Sequence, residues 1–328
     1  MRHVTVYREA DVYAGWPANH GAWQWGDEFL VGFMRGRYER GYMHNIHEPF
    51  EKVLARSLDG GETWNVENPG VNFEAAWTEA PPSFDLEKSI IRVCGRYDHG
   101  GEYCAEGGGF YVSHDRGKFW HGGYGFAGLE QIFGSPNHCT SRTRVLGNLV
   151  FLSAAKQNHW GSDWIFVARH DGERFHAGAV ICDDGVRAVM PAVERLGDRI
   201  IVVARRRGPP RQWGWVDAFV SDDGGESWRF TSQVGVTGQD NGNPPALIAS
   251  SGKLFCAYAN RTEKTVDVSV SDDAGETWTG FAVLRKGDNS DVGYPQLFKR
   301  ADGQLACVYY WSEFEGDCQH IEATIFEP

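Results

Sequence analysis

Ser221–Trp228 reads Ser-Asp-Asp-Gly-Gly-Glu-Ser-Trp, and its pattern, S-x-D-x-G-x-x-W, recurs three more times along the chain. The other copies are Ser57–Trp64 (SLDGGETW), Ser113–Trp120 (SHDRGKFW) and Ser271–Trp278 (SDDAGETW). Their first residues, 57, 113, 221 and 271, are separated by 56, 108 and 50 positions. The long gap therefore holds two periods of about 54 residues. A degraded copy stands where the missing one is due: Arg169-His-Asp171-Gly172-Glu-Arg-Phe175 keeps the Asp, the Gly and an aromatic residue. Six such periods fill the 328 residues.

Each octapeptide follows a strand-like run (FEKVLARS, GGFYVSHD, VDAFVSDD, VDVSVSDD) and leads into another, so it reads as a hairpin turn. Its Asp can accept backbone N–H groups, its Gly can take positive φ, and its Trp can cap the hairpin against the next sheet. That reading gives Asp59, Asp115, Asp223 and Asp273 a structural role. A second recurrence precedes the turns: Met190–Arg205, Pro245–Tyr258 and Tyr294–Tyr309 each read as strand, Gly-containing turn and strand. Two strands before the octapeptide pair and two around it make four antiparallel strands per period, which is one propeller blade. The expected fold is all-β, a six-bladed β-propeller occupying 1–328 as a single domain. The last period lacks a fourth strand, and Arg2–Glu9 (RHVTVYRE) is left over to supply it, tying the two ends of the chain into one blade.

Composition narrows the partners. Acidic residues outnumber basic ones 44 to 32, a formal charge of −12, which argues against nucleic acid as a partner. No apolar run approaches the roughly 20 residues of a membrane span. Seven Cys without a CxxC spacing make neither a disulfide framework nor a zinc pattern, and no HExxH, calcium-type loop or P-loop is present, so no metal and no cofactor are expected. The opening residues, MRHVTVYREAD, lack the apolar core of a signal peptide, which leaves a cytoplasmic protein or a secreted one whose leader has been removed, and reduced thiols favour the cytoplasm.

Propeller function usually sits near the axis, on the face carrying the longer loops. In five of six blades a cation stands at or just after the end of the second strand: Arg35 and Arg37, Arg96, Lys156, Arg205 to Arg207, and Arg261. Convergent arginines suit a carboxylate or another small anion. The same loops carry Trp16, His44, His47, Trp160, Tyr310 and Trp311, whose rings suit the apolar faces of sugars. A carbohydrate bearing negative charge is the expected partner.

The octapeptide is known as the Asp box, and its repetition at six-blade spacing resembles the sialidase superfamily over essentially the whole chain. Asp291-Val-Gly-Tyr294-Pro-Gln-Leu-Phe-Lys-Arg-Ala-Asp-Gly303, followed by Tyr309-Tyr310, is similar to the last-blade segment of that family, in which the Tyr is the nucleophile. Gly32-Phe-Met-Arg35-Gly-Arg37 through Gly61 resembles the first-blade segment, whose loop carries the acid/base group. Three departures stand out: Tyr13-Ala-Gly-Trp16-Pro17 has no Arg where the family has one, the acid/base loop reads Gly41-Tyr-Met-His44-Asn-Ile-His47-Glu48, and Met190 occupies one position for the Glu that assists the Tyr.

The resemblance implies an exo-acting glycoside hydrolase that removes a terminal acidic sugar. In that scheme Tyr294 is nucleophile or charge stabiliser, Asp291 takes its proton, and His47 or Glu48 protonates the leaving oxygen. Arg206 and Arg261 hold the anion with Arg35 or Arg96, while Arg37, His44, Trp160 and Tyr310 complete the binding surface. A lyase acting on uronic acids and a carbohydrate-binding propeller without chemistry are the alternatives on the same scaffold.

Overall fold

Short runs of β-branched and aromatic residues, punctuated by Gly turns, form strands throughout the computed structural model, which describes residues 1–41, 44–71, 73, 83–95, 108–133, 137–156, 163–208, 213–239 and 241–328. The strands make six antiparallel sheets. The fourth and fifth blades show the repeat most plainly. Arg187–Leu196, Arg199–Gly208, Trp213–Ser221 and Arg229–Gly238 pair in sequence order, as do Ala246–Ser250, Lys253–Asn260, Thr265–Ser271 and Thr279–Lys286. In the first and third blades the innermost strand comes in two pieces, and the second blade has three strands among the described residues.

The sheets are arranged in a ring because each buries both faces against its neighbours. Leu30 and Leu54 of the first blade pack with Tyr111 and Trp120 of the second, and Ile91 and Phe110 of the second with Val150 and Phe166 of the third. Phe151 and Val167 meet Val202 and Phe219, Ile201 and Val220 meet Leu254 and Cys256, and Phe255 and Val268 meet Leu305 and Tyr309. Val31 and Phe33 close the circle on Phe298 and Val308. This is the six-bladed propeller that the repeat predicts.

The octapeptides take the turn geometry expected of them. In the fourth blade Asp223 Oδ1 accepts the Ser221 hydroxyl at 2.8 Å and the Ser227 amide at 2.9 Å, while the Gly225 amide donates to Ser221 Oγ at 2.8 Å. Gly224 and Gly225 have φ of 75° and 97°, and Trp228 Nε1 returns to the Gly225 carbonyl at 3.1 Å. Asp59, Asp115 and Asp273 make equivalent bonds. Every one of these carboxylates is consumed by its own turn.

The leftover N-terminal strand, Arg2–Tyr7, lies antiparallel to His320–Phe326, which continues through Leu305–Trp311 to Gly293–Lys299. A buried carboxylate pins this junction. Glu322 accepts from Arg285 of the fifth blade at 2.8 and 3.1 Å and from Tyr309 at 2.9 Å, and His3 of the closing strand stands 3.6 Å away. Burial pushes the Glu322 carboxyl up, but His320, Arg285 and Tyr309 outweigh it and hold the group at about 2. Its folded pKa lies below the ordinary value of 4.5. The stabilisation is therefore complete above that value and is lost as pH falls towards 2. Glu322→Gln should cost about 3 kcal/mol at neutral pH, with its urea midpoint converging on that of the parent under acid conditions.

Candidate active site

Trp16, Met190 and Tyr294 share an uncommon backbone: each precedes a proline and each has positive φ, at 57°, 56° and 53°. Bulky residues rarely adopt this conformation, which costs about 1–3 kcal/mol, and a following proline restricts them further. All three lie in innermost segments, and in two of them the pairing register breaks there, between Val189 and Ala192 and between Gly293 and Gln296. Side chains replace the lost ladder partners. The Met190 amide donates to Ser153 Oγ at 3.0 Å and the Tyr294 amide to Asn243 Oδ1 at 2.8 Å. The strain is held by three separate blades.

Around these residues lies a buried polar cluster whose hub is Asp291. Its Oδ1 accepts the Tyr310 hydroxyl at 2.6 Å and faces Arg261 Nη2 at 3.5 Å. Its Oδ2 accepts Gln319 Nε2 at 3.2 Å and the Tyr13 hydroxyl at 3.3 Å, with His44 Nδ1 at 3.7 Å. Burial pushes the carboxyl up, yet His44, Arg261 and Tyr310 together keep it ionised, at about 2. Asp291 retains 21% of its side-chain surface and His44 24%, so the hub is reachable from solvent while Tyr294 beside it is only 3% exposed. The Tyr294 ring meets Tyr310 edge-on at 5.8 Å, and Trp16 meets His44 edge-on at 4.9 Å.

Positive charge exceeds negative charge in this cluster. Arg205 Nη1 donates to the Tyr294 hydroxyl at 3.3 Å and is anchored by the Asn241 carbonyl at 2.6 and 2.9 Å. Arg261 donates to Tyr310 at 3.0 Å. Arg187, in electrostatic reach of Arg205, pairs with Asp163 at 2.7 Å, both side chains being 2% exposed or less. Arg142, 1% exposed and in reach of Tyr294, has no hydrogen-bond partner on any guanidinium nitrogen among the described residues. Burial pushes Arg142 well below and Arg205 below the ordinary arginine value. Among the described residues, four guanidinium groups stand against the carboxylates of Asp163 and Asp291.

The structure brings Tyr294, Asp291, Arg261, Tyr310 and His44 together. Other expected groups lie elsewhere. Arg35 turns to Glu51 at 2.6 Å and to the Tyr7 hydroxyl at 3.2 Å, and Arg37 pairs with Glu39 at 2.8 Å, both lining an outer groove between the last and first blades. Arg206 points into the seam towards Cys182, with Asp184 at 2.6 Å and Asp217 at 3.3 Å, so that Arg205 takes the place expected of it. His47 lies within a strand, opposite Arg37, and Glu48 is exposed on the same strand. His44 is the residue of that segment that reaches Asp291. Asp291 accepts from the hydroxyls of Tyr310 and Tyr13, and the Tyr294 hydroxyl accepts from Arg205. Arg96 and Trp160 lie outside the described residues.

Arg142, Arg187, Asn243, Tyr13 and Gln319 were not anticipated, because they reach the cluster from positions without a repeated motif. The residue-Pro pairs Trp16-Pro17, Met190-Pro191 and Tyr294-Pro295 were the available signal. Asp163→Ala, which leaves Arg187 buried without this carboxylate, should lower the unfolding free energy by about 3–5 kcal/mol. The double change Asp163→Leu with Arg187→Met should cost clearly less in the same urea titration.

A crystal structure of a protein of unknown function from Dyadobacter fermentans superposes over 99% of this chain and 97% of that one, with 18% identity and a TM-score of 0.74. The α-L-arabinofuranosidase Arb93A of Fusarium graminearum, bound to an iminosugar inhibitor, matches over 100% and 98% with 15% identity and a TM-score of 0.58. Trypanosoma rangeli sialidase in complex with sialic acid matches 92% of this chain and 52% of its own length, at 12% identity and a TM-score of 0.54. These likenesses establish a shared fold. No curated protein matches the chain by sequence. The family described as BNR repeat-like domain matches residues 95–307, and the chain belongs to that family.

Proposed function

We propose that the protein is a sialidase-like, exo-acting glycoside hydrolase that releases a terminal sugar carrying a carboxylate. The observation that supports this most is the excess of guanidinium over carboxylate charge around Tyr294, next to an ionised and solvent-reachable Asp291. Arg205 and Arg261 would receive the sugar carboxylate, and Arg142 and Arg187 would raise the local positive potential. The scaffold is one on which the Fusarium arabinofuranosidase and the trypanosomal sialidase act on sugars.

Hydrolysis of a glycoside passes through an oxocarbenium-like centre. Asp291, already ionised, would face the positive charge developing at the anomeric carbon, with the Tyr294 hydroxyl beside it. His44, when protonated, would give its proton to the glycosidic oxygen as the carbon–oxygen bond breaks, and water would then add to the anomeric carbon while returning a proton to His44. This reading gives His44 the role that the sequence suggested for His47 or Glu48. Arg205, which bonds Tyr294, would take that suggested for Arg206.

The test is a panel of aryl glycosides of sialic, glucuronic and galacturonic acids, with arabinosides and other neutral sugars as controls. Turnover of one acidic glycoside to a saturated sugar is expected. Asp291→Asn should lower kcat by roughly 10²–10⁴-fold, and Tyr294→Phe should lower it as well. Arg205→Met should reduce the preference for acidic over neutral glycosides by about 10-fold or more. A product with ultraviolet absorption from a new double bond would identify a lyase. Saturable binding with no product would identify a lectin, and efficient release of arabinose alone would refute the acidic-sugar assignment.

A further inference from the structure

Beside the innermost segments of the first three blades lies a cavity of about 110 Å³. Residues lining it include Trp23, Arg92, Ser141, Thr143, Arg144 and Val145, and neither Tyr294 nor Asp291, Arg205 or Arg261 is among its walls. Roughly 10–15 Å³ on this measure holds one water, so the space takes a polyatomic ion. Several of its lining residues, Trp23, Thr143, Arg144 and Val145, are half-buried, which leaves a path to solvent.

Among the described residues the walls are rich in donors and hold no carboxylate. Arg92, 2% exposed, gives Nη2 to His20 Nδ1 at 2.6 Å and lays its guanidinium over the Phe73 ring at 3.8 Å. Its Nε and Nη1 have no hydrogen-bond partner among the described residues. The Ser141 hydroxyl, 3% exposed as a residue, is likewise unpartnered. Arg144 donates Nη1 to the Thr143 carbonyl at 3.0 Å and Nη2 to Gln296, both neutral acceptors. The acid whose field reaches Arg144 is Glu194, which burial pushes up to about 7, so that much of its charge is absent at neutral pH. Buried guanidinium groups without carboxylates are costly unless an anion meets them.

We infer that this cavity is a binding site for one small inorganic oxyanion, of phosphate or sulfate size, held by Arg92, Arg144 and Ser141. Its occupation stabilises the contact of the first three blades and leaves the chemistry at Asp291 unchanged.

The experiment is thermal unfolding of the full chain in a zwitterionic buffer, titrated with sodium phosphate or sodium sulfate at constant ionic strength set by sodium chloride. The parent protein should show a saturable rise of roughly 2–4 °C, and equilibrium dialysis with labelled phosphate should give one ion per chain. Arg92→Met and, separately, Ser141→Val should lose that saturable rise. General salting-out by these anions is not saturable and acts on every variant alike. An equal shift in parent and both variants would therefore overturn the proposal. So would a shift produced equally by chloride alone, or dialysis showing no bound phosphate.

Discussion

Burying several arginines in one place is the constraint that organises this molecule. The chain carries a formal charge of −12, yet Arg142, Arg187, Arg205 and Arg261 are drawn inside within reach of Tyr294 and its neighbours. Desolvating a guanidinium group costs several kcal/mol unless charge and hydrogen bonds offset it. Asp163 and Asp291 offset part of this, and backbone carbonyls and tyrosine hydroxyls another part. The remainder is the uncompensated charge that a sugar carboxylate would meet under the proposed function.

The ring makes that concentration of charge sustainable. The four arginines come from three blades, Arg142 from the third, Arg187 and Arg205 from the fourth and Arg261 from the fifth, so no two adjacent residues have to carry the whole repulsion. The strained residues before proline at positions 16, 190 and 294 belong to three different blades, so relaxing one of them would require its innermost segment to leave its neighbours. The closing blade carries Asp291, Tyr294, Tyr310 and Gln319 and is the one assembled from both ends of the chain. Glu322 and its partners at that junction thus support the hub as well as the fold.

The architecture was legible in the sequence because its marks are local. Eight residues suffice to specify an Asp-anchored turn, and counting such turns yields both the blade number and the unpaired final period that Arg2–Tyr7 completes. Part of the site was legible for a related reason: Asp291, Tyr294 and Tyr310 stand in one segment. The arginines were harder. Arg206 continues the parity of Val202 and Ala204 into the seam with Cys182, which leaves Arg205 on the opposite side, and that parity can be read only once the strand's packing is known. Arg35 looked available until the register placed Glu51 directly across from it. Arg142 and Asn243 come from segments whose relation to Tyr294 exists only after the ring has closed.

The central claim is that unbalanced guanidinium charge beside Asp291 recognises a sugar carboxylate. Calorimetric titration of the protein with a monosaccharide acid and with its methyl ester tests it most directly, because the pair differs in charge and hardly in shape. The account predicts saturable binding of the acid and an ester weaker by about 10-fold or more, the worth of one charge-assisted hydrogen bond. Equal affinity for acid and ester, or binding of the ester alone, would contradict it.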